Sequence, residues 1–430
     1  MPGIINEFGN YINHQAPMHP QRCRELLLMA YRAYGLKLRY FPEKRLPPSR
    51  QYAAVHMNHV VTKMLAHPEH AALVSIFMPC ELLEVMDVIP MCAELYSAFL
   101  NGTYAESVFA QTAEDEGIPE TYCSYHKILL GSAYTGMLSA PAFIVNTSHI
   151  CDANNLTFRE LADFYGIDQF YLDVPLARNE ESVGYVAEQL RELPSFLEEH
   201  TGKKFDEEKL FRIMQRSQRT VQKLKQVLVE KKRAYLSGDV TSEMYEIYLA
   251  HNGLGSAASE RYADLLLGDI RKAPKAEGLR LLWIHTIPNW QTPVREKLNF
   301  HKDCQIICCD MCVEGLTDVD PLHPYESMAK RLVYSPFNGG NSRVENSVKL
   351  AKELEVDGAV VFCHWGCKQT MGLSAALRQR LEIEGYPALV LNGDGCDRRN
   401  SSDGQTATRL DAFLEQLRQG GSKKHMIPEA

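Results

Sequence analysis

Several things are missing from this sequence, and each absence excludes a class of function. No run of about 18 uninterrupted apolar residues occurs, so no segment should cross a bilayer as a helix. The longest uncharged stretch, Ile128 to Ile150, is broken by Gly131, Ser132, Thr135, Gly136, Ser139, Pro141, Asn146 and Thr147, and reads as a buried helix followed by a buried strand. No cluster of five basic residues appears, and 46 Lys and Arg against 54 Asp and Glu leave a net charge of −8. The electrostatic footprint of a nucleic-acid binder is therefore absent. Gly-x-x-x-x-Gly-Lys-Ser/Thr and His-Glu-x-x-His are both absent, so the chain carries neither a P-loop nor that zinc-protease motif. The opening from Met1 to Glu7 has no basic stretch leading into an apolar one, and the expectation is a cytoplasmic chain.

What the sequence does have is cysteine, twelve in 430 residues. Disulfides are rare in a reducing cytoplasm, so metal ligation or thiol chemistry must account for the thiols that are not simply core. The length exceeds the roughly 250–300 residues at which one hydrophobic core stops growing, which predicts more than one domain. With 45% hydrophobic and 23% charged residues, the composition is that of an ordinary globular protein.

The chain reads as a helical N-terminal segment (1–70), a first α/β lobe (71–180), a helical connector (181–275) and a second α/β lobe (276–430). In the first lobe, apolar runs at Leu73 to Phe77, Ala142 to Thr147 and Gln169 to Val174 alternate with helical spacing at Glu81 to Met86, Tyr125 to Leu138 and Thr157 to Tyr165. In the second, strands at Leu279 to His285, Gln305 to Cys309, Gly358 to Cys363 and Ala388 to Asn392 are interleaved with helices at Ser342 to Leu354, Thr370 to Glu384 and Thr406 to Leu417. Alternating strands and helices predict two Rossmann-like lobes with parallel sheets flanked by helices. Between the lobes, apolar residues recur at three and four positions through Phe205 to Val229, the mark of helix.

In both lobes a strand runs straight into a cysteine-bearing loop, at Val145 to Asp152 and at Val361 to Cys367. Open parallel sheets bind ligands outside the carboxyl ends of their strands. Cys123 precedes a helix while Cys151 and Cys367 follow strands, so these distant thiols can converge between the lobes. Thiolates are soft ligands suited to zinc and iron–sulfur clusters. Zinc knuckles come in pairs, yet the one strict Cys-x-x-Cys is Cys309 to Cys312, which favours iron and sulfur. Cys23 and Cys304 read as core. Cys308 and Cys309 should point to opposite faces if they extend a strand, and Cys363 either completes its strand or shares a face with Cys367. His149 and His364 precede Cys151 and Cys367 by two and three positions. Gly253 to Ala258 matches a relaxed dinucleotide fingerprint but follows helical sequence, which discounts it.

The segments Pro79-Cys80-Glu81-Leu82-Leu83, Cys123-Ser124-Tyr125-His126-Lys127, Asn146 to Asn154, Asp173-Val174-Pro175, His364-Trp365-Gly366-Cys367-Lys368, Asn392 to Asn400 and Gly404 to Leu410 stand in an order that resembles the 2-hydroxyacyl-CoA dehydratase and benzoyl-CoA reductase subunit family. The resemblance spans about residue 70 to 417. It implies a two-lobed α/β subunit holding a 4Fe-4S cluster through Cys123, Cys151 and Cys367. It also implies electrons from a separate ATP-hydrolysing iron–sulfur activator, in keeping with the missing P-loop.

The extra cysteines resemble a branch of that family, the homodimeric double-cubane proteins, whose 8Fe-9S cluster needs about twice as many thiols. Cys80, Cys396 and one of Cys309 or Cys312 are the candidates for that second set, with Cys92 and Cys363 in reserve. The resemblance therefore favours an iron–sulfur reductase of small molecules, with a ketyl-radical dehydratase subunit as the alternative and a non-catalytic cluster scaffold as a third reading. Ser124, His149 and His364 are the candidates for proton donation.

Overall fold

Strands buried on both faces are written as continuous Val, Ile and Leu runs, and such runs build two parallel sheets here. The computed structural model describes residues 2–424; Met1 and residues 425–430, the outer ends of the expected first and last segments, lie outside the described residues. In the first lobe β1 (Ala71–Val74), β2 (Ile89–Cys92), β3 (Phe143–Thr147) and β4 (Gln169–Leu172) lie in the order β2-β1-β3-β4. The second lobe repeats it: β5 (Leu279–Ile284), β6 (Cys304–Cys309), β7 (Gly358–His364) and β8 (Ala388–Gly393) lie in the order β6-β5-β7-β8. All pairings are parallel. In each sheet the chain leaves the first strand for one edge and returns on its other side. A crevice therefore opens beyond the carboxyl ends of β1 and β3, and another beyond those of β5 and β7, the switch points at which such sheets bind ligands.

Two segments differ from the sequence reading. The strand β2 is hidden in the sequence because Pro90 interrupts it, and proline is accommodated because β2 is an edge strand paired only with β1. Residues 75–77, read as strand, are loop. The helical connector divides into four helices, Glu180–Thr201, Glu207–Lys231, Val240–Ala250 and Ala257–Lys272. Each begins where Asn179, Asp206, Asp239 or Ser256 accepts a backbone N–H three residues on, satisfying one of the donors that every helix start leaves open. The discounted glycine motif at 253–258 runs from the turn between the last two into the first residues of the final one.

Successive strand residues serve different cores. Ala72, Val74, Phe143 and Val145 join Leu281 and Trp283 in one central core shared by both lobes and the connector. Their neighbours Ala71, Leu73 and Ile144 pack on the N-terminal helices, and Leu282 and Ile284 pack on the outer helices of the second lobe. Cys308 and Cys309 divide in the same way, one to the outer core and one to the central core.

The lobes are also tied by charge. Fully buried Glu81, after β1, takes both terminal nitrogens of buried Arg331 at 2.5 and 3.2 Å and the Ser217 hydroxyl of the connector at 3.1 Å. Removing one partner of a buried pair strands the other charge at a cost of about 3–5 kcal/mol. Glu81→Ala should lose about that much in denaturant unfolding, and a loss below about 1 kcal/mol would show that the pair does not fasten the lobes.

Candidate metal centre

Cys123, Cys151 and Cys367 each occupy the cap position of a helix, before Ser124–Tyr134, Asp152–Tyr165 and Lys368–Ile383. Cys151 and Cys367 follow β3 and β7, the equivalent strands of the two lobes. A helix start presents unpaired N–H groups and a partial positive charge, which favour a thiolate or an anionic group placed there. The backbone N–H groups of His126 and Tyr125 face the Cys123 sulfur and those of Asn154 and Ala153 face Cys151 without closing a capping hydrogen bond, whereas the Cys367 sulfur accepts from Thr370 N at 3.5 Å. The three sulfurs are electrostatic neighbours of one another. Burial, reinforced by these sulfurs, raises Cys123 and Cys151 above an ordinary thiol. Metal binding there must displace protons.

Gly366 is what lets the loops meet. Its φ is +82°, and a Cβ on it would stand 2.6 Å from the Tyr122 carbonyl oxygen and 2.8 Å from the Cys123 nitrogen. The same loop carries His364, whose Nδ1 accepts from Gly395 N at 3.0 Å and whose Nε2 lies 3.5 Å from the Cys123 sulfur. Because Nδ1 accepts, the neutral ring carries its proton on Nε2 and donates it to that sulfur. Burial holds His364 below the usual imidazole value, which keeps it neutral. Ser124 is fully buried with its hydroxyl given to Asp394, which also receives the N–H groups of Cys396 and Asp397 at 2.9 Å each. The buried His149 ring stands edge-on to Phe77 with centroids 5.8 Å apart, and burial lowers it to about 3.

The extra thiols divide. Cys396 packs in the same core as Cys123 and is its electrostatic neighbour. Cys80, Cys309 and Cys312 lie in the central core and give their S–H groups to backbone carbonyls, Cys80 to Met78 at 3.2 Å, Cys309 to His285 at 3.3 Å and Cys312 to Glu243 at 3.6 Å. Of the reserve pair, Cys92 caps the helix Ala93–Gly102 and Cys363 lies within β7, one residue before its end.

Three polar residues beside the thiols escaped the sequence reading. Glu94, an electrostatic neighbour of Cys151, accepts from Ile76 N at 3.0 Å and stands 3.7 Å from His126 Nε2. His126 Nδ1 and both side-chain atoms of fully buried Asn154 have no hydrogen-bond partner among the described residues. Orphaned buried groups of this kind call for an ion, a water or a ligand. Cys123-x-x-His126 and Cys151-x-x-Asn154 carried a readable signal, since the third helical residue sits beside its cap. Glu94 carried none, because it follows the hidden strand β2.

Among the described residues no three His, Cys, Asp or Glu side chains converge closely enough for a single ion. A four-iron cluster is wider than an ion, so its ligand sulfurs stand farther apart. Three neighbouring soft thiols at three helix starts, with orphaned polar groups around them, fit such a group.

The fold and site define a two-lobed parallel α/β protein with a thiol-lined centre between its lobes. Residues 75–417 match the family model described as 2-hydroxyglutaryl-CoA dehydratase, D-component, and the chain belongs to that family. It is 26% identical over 303 residues to (R)-2-hydroxyglutaryl-CoA dehydratase, subunit alpha, of Acidaminococcus fermentans, covering 66% of this chain and 62% of that protein. It is 23% identical over 325 residues to the (R)-phenyllactyl-CoA dehydratase alpha subunit of Clostridium sporogenes, covering 70% of this chain and 78% of that one. The lactoyl-CoA dehydratase subunit alpha of Anaerotignum propionicum is 22% identical over 377 residues, covering 79% and 88%. The chain thus spans less than two thirds of the length of the first of these relatives. No helix among the described residues is long and apolar enough to cross a membrane.

Proposed function

We propose that this chain is the cluster-bearing subunit of a 2-hydroxyacyl-CoA dehydratase, holding one 4Fe-4S cluster on Cys123, Cys151 and Cys367. The observation that carries the reading is the meeting of three helix-capping thiols from both lobes in a member of this family. A cluster bound there supplies one-electron reduction at low potential through an iron with no protein ligand. The chain's own part is to hold and tune it. Three helix starts offset its negative charge, the His364 Nε2–H donates to the Cys123 sulfur, and the buried Cys123 side is shielded from water; hydrogen bonds and solvent exposure are what set such potentials. Electrons come from a separate ATP-hydrolysing activator, since this chain has no P-loop of its own. The three relatives are named alpha subunits, which supports assembly with a further subunit.

The double-cubane reductase is the second reading. Cys396 beside Cys123 and Cys363 beside Cys367 favour it, whereas the backbone partners of Cys80, Cys309 and Cys312 favour a single cubane. Iron and acid-labile sulfide on anaerobically purified protein, with its mass in solution, decide between them. About four irons per chain is the expected result, about eight per chain in a homodimer would select the double cubane, and a colourless zinc-loaded protein would overturn both. A loaded chain that turns over nothing with activator, ATP and partner subunit would leave the scaffold reading.

A further inference from the structure

We infer that His285 contacts the substrate, hydrogen-bonding the 2-hydroxyl of the acyl thioester in the crevice between β5 and β7. The inference rests on the dehydratase reading and adds a residue that neither the family motifs nor the thiol pattern contains. His285 is the first residue beyond β5, and His364 ends the adjacent strand β7, so the two imidazoles flank the second lobe's switch point. Their ring centroids are 5.9 Å apart, and His364 Nε2 is 3.5 Å from the Cys123 sulfur. His285 thus stands one ring away from the candidate cluster ligand.

Its conformation is costly and enforced. The backbone φ is +83°, a left-handed value that a non-glycine residue holds only when its surroundings impose it. The surroundings are specific: His285 N donates to Asp310 Oδ1 at 2.7 Å, and its carbonyl accepts from the Cys309 thiol at 3.3 Å. Asp310 is itself clamped by Arg343 through Nε at 3.1 Å and Nη2 at 2.8 Å, and both residues are buried. Arg343 Nη1 reaches Gln369 at 2.6 Å, two residues beyond Cys367, so the clamp is continuous with the helix that carries a candidate ligand.

While the backbone is fully partnered, the ring is not. Both ring nitrogens are shut off from solvent, and neither has a hydrogen-bond partner among the described residues. Two solvent-inaccessible ring nitrogens left unpaired beside the thiol centre call for a polar partner. Burial, with the Arg343 guanidinium nearby, holds the ring well below the usual imidazole value. A neutral imidazole offers one N–H donor and one acceptor nitrogen, which matches a hydroxyl, itself donor and acceptor, better than a carbonyl or a carboxylate that only accepts.

The test uses full-length, cluster-loaded protein under anaerobic conditions, with lactoyl-CoA and propionyl-CoA, which differ in the 2-hydroxyl, as titrants. Wild type should bind lactoyl-CoA about tenfold more tightly. His285→Gly should reduce that preference to within about twofold, with iron per chain unchanged and a thermal midpoint no lower than wild type, since glycine adopts this φ freely. His285→Asn, which tolerates the left-handed region and keeps a donor and an acceptor, should restore part of the preference. A preference that survives in His285→Gly at full iron content, or that is missing from wild type, overturns the inference and leaves the dehydratase reading standing. Failure of loaded wild type to bind either thioester overturns the dehydratase reading itself.

Discussion

Replacing Cys151 with alanine should take iron from about four per chain to below about one, while far-ultraviolet circular dichroism still reports a folded α/β chain. The loss is expected to be nearly complete because the three thiols come from three different helix starts, and no other cysteine of the central core is placed to substitute. Cys80, Cys309 and Cys312 are held to Met78, His285 and Glu243 carbonyls instead. The fold should survive because the Cys151 side chain makes no capping hydrogen bond, and its helix keeps a left-handed Gly166 at its end. Cys123→Ala and Cys367→Ala should behave alike. Cys80→Ala and Cys309→Ala should keep their iron and lose about 1 kcal/mol of stability, the cost of removing a small buried group. If either of these instead strips half the iron, the second set of thiols is ligating and the double cubane is restored.

How far the sequence could be read follows from where its signals are local. The strands entering Cys151 and Cys367 are apolar runs ending in a loop, so their cysteines could be placed at a ligand-binding edge from sequence. Cys123 was legible as a residue opening a helix. That the three could converge between the lobes was legible too, but not the central core that brings the lobes together, to which the connector contributes Leu210, Ile213 and Tyr248. Glu94 was lost along with β2, because Pro90 makes an edge strand look like a turn. The donor role of His364 was beyond sequence as well, because its tautomer is fixed by Gly395, 31 positions away. Residues whose partners lie within one helical turn could be read, and those paired across the lobes could not.

Gly366 is where that long-range meeting can be broken by one methyl group. Alanine there pays the left-handed penalty of about 1–2 kcal/mol, and its Cβ collides with the Tyr122 carbonyl and the Cys123 nitrogen, backbone atoms that no rotamer change can move aside. The loop from His364 to Cys367 must then draw back from Cys123, which separates two of the three thiols and breaks the His364 donation to sulfur. Gly366→Ala should therefore hold less than about half the wild-type iron and unfold at a lower temperature. Gly385 supplies the control. Its φ is +85°, nearly the same, yet a Cβ on it would meet nothing within 4 Å. Gly385→Ala should show the conformational penalty alone, a similar fall in thermal stability with full iron. Equal iron in the two variants would mean that the contact between the Cys367 loop and the Cys123 turn is not needed to assemble the centre. A deficit confined to Gly366→Ala would tie iron retention to the approach of the two loops rather than to the stability of the second lobe.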